Sequence, residues 1–411
     1  MSSEPVLVAS DPAQLGFDRA RLQRIDAHLS RYVEDGRLPG ASVLVSRDGK
    51  VAHVYACGRR DIAAGLPMQA DTVVRIYSMT KPVTSVAVMM LIEQGLLELT
   101  DPVSKWIPAF ERARVYTGGP TAKPVTVPVT EPVRIWHLLT HTAGLTYGFH
   151  HMHVVDEMYR EAGFEWGTPA GMDLATVVDA LAGLPLLFQP GAEWNYSVAT
   201  DVLGRLVEVV SGQSLPEFFA EHILGPLGMV DTGFTATDAE RLAALYVKNP
   251  ADGSLLRYDP LGDLITQVPA AASGGGGLAS TLADYHRFTQ MLLRGGELDG
   301  VRLLAPRTVQ AMRGNHLPGG TDLAAFGRPL HAETDYAGTG FGLGFSVLLD
   351  PAAAHSLATP GEFGWGGAAS TAFWVDPIED LTVIFLTQLM PSSSYPIRTE
   401  LRSLVYQALV G

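Results

Sequence analysis

The stretch RIYSMTKP, residues 75–82, opens an apolar run that ends at Gly95 and decides the fold of this chain. Apolar side chains recur at helical spacing after Pro82, and proline fits the first turn of a helix, where its missing N–H costs nothing. A glycine such as Gly95 suits the end of a helix. Because Glu93 is the only charged residue in the run after Lys81, the sequence predicts a buried helix that begins at this stretch.

Ser78 and Lys81 lie three residues apart, so a helix places their side chains on one face. The unpaired N–H groups and the positive dipole at a helix start stabilise a developing oxyanion, and they favour a neutral amine over an ammonium. Of the five lysines in the chain, only Lys81 has a serine three residues before it. The pattern therefore predicts an activated serine with a lysine base. Taken alone, it also fits a cap serine followed by a surface lysine.

Composition narrows the range of functions. The chain has 411 residues, 47% of them hydrophobic and 18% charged, which predicts a sizeable core and no long disordered tail. A net charge of −14 without a basic run argues against nucleic acid and anionic membranes as partners. The chain contains no run of about 18 apolar residues, the length that a transmembrane helix needs, so no such helix is predicted. The start, residues 1–5, lacks the features of a secretory signal, so we expect a cytoplasmic enzyme. The lone Cys57 is interpreted as core filler.

Strand-like runs near both ends of the chain enclose a mainly helical middle. A helix from Asp18 and a hairpin around Asp48-Gly49 are predicted first, and strands over 345–349, 372–375 and 381–386 precede a C-terminal helix. We therefore predict an α+β fold in which residues 1–80 and 240–411 form an α/β lobe with an antiparallel sheet. Residues 81–239 form a mainly helical lobe, and the active site lies in the cleft between them.

Three motifs follow one another in a recognisable order. Ser78-Met79-Thr80-Lys81 comes first, then Tyr196-Ser197-Val198, then Trp365-Gly366-Gly367. Together with residues 139–145 and the glycine run at 273–278, they resemble the serine β-lactamase and penicillin-binding-protein superfamily. The resemblance covers about residues 15 to 410 and is strongest to the class C-like esterases called family VIII carboxylesterases. It implies a β-lactamase/transpeptidase-like fold, a central antiparallel sheet flanked by helices with an inserted helical lobe.

The resemblance also implies a catalytic apparatus. Ser78 corresponds to the family's nucleophile, and Lys81 to a base that shares a proton with Tyr196. The backbone N–H groups of Ser78 and Ala368 correspond to the oxyanion hole, which stabilises the negative oxygen of the tetrahedral intermediate. These residues imply hydrolysis of short-chain carboxylic esters through an acyl-enzyme, with no cofactor and no metal. The expected partner is a small-molecule ester.

Two departures from the β-lactamase pattern bear on the substrate. Val198 replaces the amide of the family's Tyr-x-Asn motif, and Trp365 replaces the lysine of Lys-Thr-Gly, the cation that would hold a β-lactam carboxylate. Both changes favour neutral, apolar esters. The aromatic segment 147–166 is expected to be irregular and to wall the pocket, unless it is only a surface loop folded on itself. The residues predicted to contact the substrate are Tyr147, Phe149, Val198, Trp365, Gly366 and Gly367.

Other interpretations stay open at this point. The same acyl-enzyme would serve a β-lactamase, a D-amino peptide or amide hydrolase, or an acyltransferase, and a non-catalytic binding protein could keep the fold. His137 and His141 have metal-ligand spacing, but Leu138 stands where the His-Glu-x-x-His motif needs glutamate, so polar histidines without a metal are expected. Asp201 is expected to be a carboxylate at a helix start. The physiological ester and the oligomeric state do not follow from the sequence.

Overall fold

The computed structural model describes residues 10–169, 171–328 and 336–411, so the first five residues lie outside the described part. The helices are α1 (Arg19–Glu34), α2 (Thr80–Glu93), α3 (Ile135–Leu139), α4 (Val154–Glu161), α5 (Leu174–Ala182), α6 (Ala199–Ser211), α7 (Leu215–Phe219), α8 (Asp259–Gly262), α9 (Leu282–Leu293), α10 (Pro306–Met312), α11 (Leu323–Phe326) and α12 (Ile397–Tyr406). None of these described helices has both the length and the apolar character needed to cross a bilayer.

The strands occur mainly toward the two ends of the chain. In chain order they are β1 (Gly40–Arg47), β2 (Lys50–Asp61), β3 (Leu66–Pro67), β4 (Val74–Arg75), β5 (Arg114–Gly118), β6 (Val125–Pro128), β7 (Tyr246–Lys248), β8 (Leu255–Arg257), β9 (Ala279–Ser280), β10 (Glu297–Leu298), β11 (Val301–Arg302), β12 (Thr339–Phe341), β13 (Ser346–Leu348), β14 (Phe363–Gly366), β15 (Ala372–Asp376), β16 (Leu381–Thr387) and β17 (Leu389–Met390).

One antiparallel sheet joins the beginning of the chain to its end. Among the described residues it contains eight strands in the order β12-β13-β14-β15-β16-β1-β2-β3. β1 pairs with β16, so that Val43 lies opposite Phe385 and Leu44 opposite Ile384. The predicted α+β class with a central antiparallel sheet is confirmed. The division into a lobe of residues 1–80 and 240–411 and a lobe of residues 81–239 stays a prediction.

Helices cover both faces of this sheet. Val43 and Val45 point into the core beneath α1 and α12, where Leu29 and Leu401 are also buried. Leu44, between the two valines, belongs to the larger core on the opposite face, which α9 covers. This alternation follows from the two-residue period of a strand. The sheet is thus a layer between two helical layers.

The helix that carries Lys81 is surrounded by protein, as its apolar sequence predicts. A 3-10 turn over Tyr77–Met79 leads directly into α2, and Gly95 follows the helix with a φ of 71°. The side chains from position 80 to position 89 are all buried, and α6 packs along the helix. A helix without a polar face is stable only in the interior. Ser78 therefore lies where a central helix begins.

The aromatic segment 147–166 differs from its prediction. The sequence predicts an irregular segment, whereas the structure contains α4 there. His153 caps this helix, because its Nδ1 accepts from the Val155 N–H while the Asp156 carboxylate accepts from the His153 N–H. Reciprocal capping of this kind stabilises a short helix whose sequence has too few turns to show a clear apolar period.

Candidate active site

Ser78 is presented by a strained turn. Tyr77, the residue before it, has a φ of 44°, in the left-handed region that non-glycine residues seldom adopt. Burial raises the pKa of the Tyr77 phenol to about 12, so this side chain is a neutral packing group. The buried Arg75 guanidinium donates to the carbonyls of Ala243, at 2.6 Å, and Gly262, and so anchors the chain that enters the turn. Strain that persists because its surroundings enforce it is characteristic of functional sites.

Two proton-carrying side chains meet at the Ser78 hydroxyl. The Tyr196 Oη lies 2.6 Å from Ser78 Oγ, and the Lys81 Nζ lies 3.3 Å from the same oxygen. Tyr196 comes from the segment just before α6, 118 residues further along the chain. The residues that the sequence predicts as base and proton partner are therefore both within hydrogen-bonding reach of the predicted nucleophile, Ser78.

The surroundings of Lys81 contain a partner that the sequence did not predict. Lys81 is 2% exposed, and its Nζ contacts Tyr147 Oη at 3.0 Å and the Gly275 carbonyl at 2.7 Å, besides Ser78. Nζ lies 4.6 Å from the centroid of the Tyr196 ring, and in the described part of the chain no hydrogen bond joins Lys81 to Tyr196. Lys81 and Tyr196 are thus connected through the Ser78 hydroxyl.

Asp201 holds the glycine run, and with it the Gly275 carbonyl, in place. This carboxylate accepts from Ser273 Oγ at 2.5 Å and from the Gly275 N–H at 3.1 Å, and a Cβ at Gly275 would lie 2.6 Å from it. Asp201 lies in the first turn of α6, as predicted, but its partners belong to the glycine run and not to its own helix. Asp201 therefore fixes the carbonyl that Lys81 contacts.

The backbone around Ser78 offers two available donors. Within the described residues, neither the Ser78 N–H nor the Ala368 N–H donates to a protein acceptor. Gly367, next to Ala368, packs so closely against the Ile76 carbonyl that a side chain would not fit. The end of β14 consequently lies against the turn that carries Ser78. Two unpaired N–H groups beside a nucleophile are what an oxyanion hole requires, which supports the predicted role of Ser78 and Ala368.

Arg398 of α12 supports the turn that follows β14, and the sequence does not predict this role. Its guanidinium donates to the carbonyls of Gly367, at 2.7 Å, and Thr371, at 2.9 Å, and it lies against Gly366. The cation therefore braces the turn that presents Ala368. No local pattern could have identified it, because the contact joins residues about 30 positions apart.

The histidines considered as metal ligands have other partners. His137 Nδ1 accepts from the Arg134 N–H, whereas His141 Nδ1 lies 3.1 Å from Ser197 Oγ. Burial lowers the pKa of His137 to about 4 and that of His141 well below its ordinary value. In residues 10–169, 171–328 and 336–411, no three His, Cys, Asp or Glu side chains are grouped as metal ligands would be.

Aromatic rings surround the Ser78 hydroxyl and the two proton-carrying groups beside it. The Trp365 ring lies 5.4 Å from the Tyr196 ring, and its Nε1 donates to Tyr196 Oη at 3.4 Å. On the other side, Tyr147 stacks on Phe149 at 4.6 Å, and Phe149 stacks on the exposed Trp166 at 4.9 Å. These wall residues are all uncharged.

Val198 lies at the end of this region. Its side chain is buried in the helical core, and its N–H donates to the Thr146 carbonyl at 3.3 Å. It brings no side-chain hydrogen bond to the position where the Tyr-x-Asn motif has an amide.

Comparisons with known proteins identify the family to which the chain belongs. Residues 25–407 match the model of the family described as Beta-lactamase. Protein Rv1367c of Mycobacterium tuberculosis is 40% identical over 374 residues, covering 90% of each chain. Esterase EstB of Burkholderia gladioli is 33% identical over 417 residues, covering 96% of this chain and 98% of EstB. The solved structure of EstCE1, described as a hydrolase with promiscuous acyltransferase activity, superposes with a TM-score of 0.78 at 30% identity, covering 94% of this chain and 99% of EstCE1.

Proposed function

Because the chain belongs to the beta-lactamase family, we propose that it is a serine hydrolase that cleaves short-chain carboxylic esters through an acyl-enzyme on Ser78. The observation that carries the proposal is the convergence of Tyr196 Oη and Lys81 Nζ on Ser78 Oγ. A serine becomes nucleophilic when a neighbouring group can take its proton. Similarity to esterase EstB and to the hydrolase EstCE1 supports the choice of ester hydrolysis.

The acylation step follows from these contacts. Ser78 Oγ attacks the ester carbonyl while its proton passes to the neutral amine of Lys81. The N–H groups of Ser78 and Ala368 hold the negative oxygen of the tetrahedral intermediate, a contribution that is typically a few kcal/mol for each donor. Tyr196 gives its proton to the leaving alkoxide, and the ammonium of Lys81 then restores the phenol. The alcohol departs protonated, and the acyl group remains on Ser78.

Deacylation repeats the sequence with water. Lys81 takes a proton from the water as it attacks the acyl-enzyme, Tyr196 gives its proton to the departing Ser78 Oγ, and the Lys81 ammonium then restores the phenol. An alcohol can take the place of water, in which case the product is a new ester. Acyl transfer is therefore the second candidate function, and the promiscuous acyltransferase activity attributed to EstCE1 favours it.

A substrate panel tests the proposal. We expect turnover of p-nitrophenyl esters from acetate to octanoate, and a kcat/KM for a chromogenic cephalosporin at least about 100-fold lower, because Trp365 and Val198 provide no polar anchor for a β-lactam. Ser78→Ala supplies the background rate. Added methanol separates the two candidate functions, since an acyltransferase forms methyl ester faster than free acid. A cephalosporin rate equal to the ester rates would overturn the assignment.

Trp365→Lys tests the substrate argument separately. The new ammonium would lie near the end of β14, beside Tyr196, and we expect the KM for the cephalosporin to fall by about tenfold or more, since a charge-assisted hydrogen bond forms with its carboxylate. Trp365→Leu is the matched control, because it removes the indole without adding a charge. If both variants bind the cephalosporin as the unmodified protein does, the absence of a cation at position 365 is not what disfavours β-lactams.

A further inference from the structure

The amine of Lys81 has three oxygen partners, and this number constrains its hydrogen atoms. An ammonium donates three hydrogen bonds, but a neutral amine donates two and accepts one. The Gly275 carbonyl can only accept, and at 2.7 Å it is the shortest of the three contacts. In the neutral amine, one of the two hydroxyls, Ser78 or Tyr147, must therefore accept the second N–H while the other donates to the lone pair. Only one of these two arrangements lets Lys81 act as the base for Ser78.

Tyr147 is held firmly beside the amine. Its ring stacks on Phe149 and lies 5.3 Å from the Tyr196 ring, and the preceding Thr146 donates to Asp156 at 2.8 Å. Among the described residues, Lys81 is the only hydrogen-bond partner of the Tyr147 hydroxyl. Burial raises the pKa of this phenol well above 10, and the neighbouring Tyr196 and Asp201 add to the effect. Tyr147 therefore stays an intact phenol throughout the reaction.

We propose that Tyr147 is a positioning residue whose hydroxyl oxygen accepts one N–H of neutral Lys81 and thereby turns the lone pair toward Ser78. The inference rests on the proposed function, because it assigns a role within the same proton transfer. When Ser78 attacks, its O–H bond breaks and the lone pair forms the third N–H bond. The resulting ammonium donates to Gly275, to Tyr147 and toward Ser78. The two contacts that hold the amine are the same before and after the transfer, so the amine does not have to rotate.

Tyr147→Phe tests this role, because it removes the accepting oxygen and keeps the stacked ring. The reaction to follow is phosphonylation of Ser78 by a p-nitrophenyl alkylphosphonate, which releases p-nitrophenolate and does not depend on the natural substrate. We expect its rate constant to fall by about 10- to 100-fold, the loss typical of one hydrogen bond to a charged group. In the ester assay, kcat should fall while KM changes little.

The pH profile supplies a readout that a purely structural role would not move. Activity requires the neutral amine, and removing an acceptor destabilises the ammonium form. The amine then loses its proton at lower pH, so the acidic limb of the rate profile should move to lower pH in Tyr147→Phe. Tyr159→Phe is the matched control: it also removes one buried hydroxyl, but this hydroxyl contacts neither Ser78 nor Lys81, and both rate and limb should stay unchanged.

The outcomes distinguish this inference from the proposed function. If the unmodified protein is not phosphonylated at Ser78, the proposed function itself fails. If it is phosphonylated and Tyr147→Phe reacts at the same rate with the same acidic limb, the positioning role is refuted. A variant in which only KM rises would make Tyr147 a wall of the substrate pocket, which also contradicts the inference. Thermal unfolding confirms that each variant is folded.

Discussion

Replacing Lys81 with alanine is expected to lower kcat for p-nitrophenyl esters by roughly 1,000- to 100,000-fold, close to the background set by Ser78→Ala. In the proposed mechanism the amine takes the Ser78 proton, and Tyr196, which remains in this variant, is a phenol whose own proton goes to the leaving alkoxide. KM should change much less, because the ester is expected to bind mainly through the aromatic walls and the proposed oxyanion hole. Steady-state kinetics with purified variant measures both constants.

This prediction needs a control for packing. Lys81 is 2% exposed, so alanine leaves a cavity in addition to an unpaired Gly275 carbonyl. Lys81→Met fills most of the volume without restoring a base. We expect the methionine variant to be as inactive as the alanine variant but to unfold at a higher temperature. Near-normal turnover in either folded variant would show that Lys81 is not the base.

Tyr196→Phe is expected to have the second-largest effect, a loss of about 100- to 10,000-fold in kcat for alkyl esters such as ethyl butyrate. The Tyr196 hydroxyl lies 2.6 Å from Ser78 Oγ, where it can protonate the alkoxide that leaves. p-Nitrophenolate is a stable anion and needs little help from an acid. The loss should therefore be clearly smaller for p-nitrophenyl butyrate than for ethyl butyrate.

The comparison of the two esters is the decisive measurement. Tyr159→Phe again controls for the loss of a buried hydroxyl and should hydrolyse both esters at normal rates. An equal loss with both esters would exclude Tyr196 as the acid and leave it a role in activating Ser78 alone. A folded Tyr196→Phe variant that keeps full activity on the alkyl ester would falsify the mechanism.

Local patterns in the sequence predict the elements well where a strong period exists. The apolar run after Lys81 gives α2, and the Asp48-Gly49 turn gives the β1–β2 hairpin, because helical and strand periods depend on neighbours a few residues away. α4 was missed because a helix of eight residues is too short to establish a period. The success of these predictions therefore follows the length and regularity of each element.

The candidate active site shows which contacts local sequence patterns do not predict. Ser78 and Lys81 are neighbours on the chain, so their spacing alone predicts that they meet. Tyr196 is 118 residues away from Ser78, and only the order of motifs shared with a known family pointed to it. The contacts of Tyr147 with Lys81 and of Arg398 with Gly367 follow from how distant segments pack. Such contacts depend on the tertiary fold, which spacing along the chain does not encode.

The pairing of β1 with β16 has a consequence for biosynthesis. Ala41 lies opposite Thr387 in the sheet, although more than 340 residues separate them along the chain. During translation, one edge of β1 has no native neighbour until β16 has left the ribosome, and an unsatisfied strand edge invites association with other chains. Closing so long a loop also delays the pairing. The yield of active protein should thus depend on how well the nascent chain is protected from association until β16 has been made.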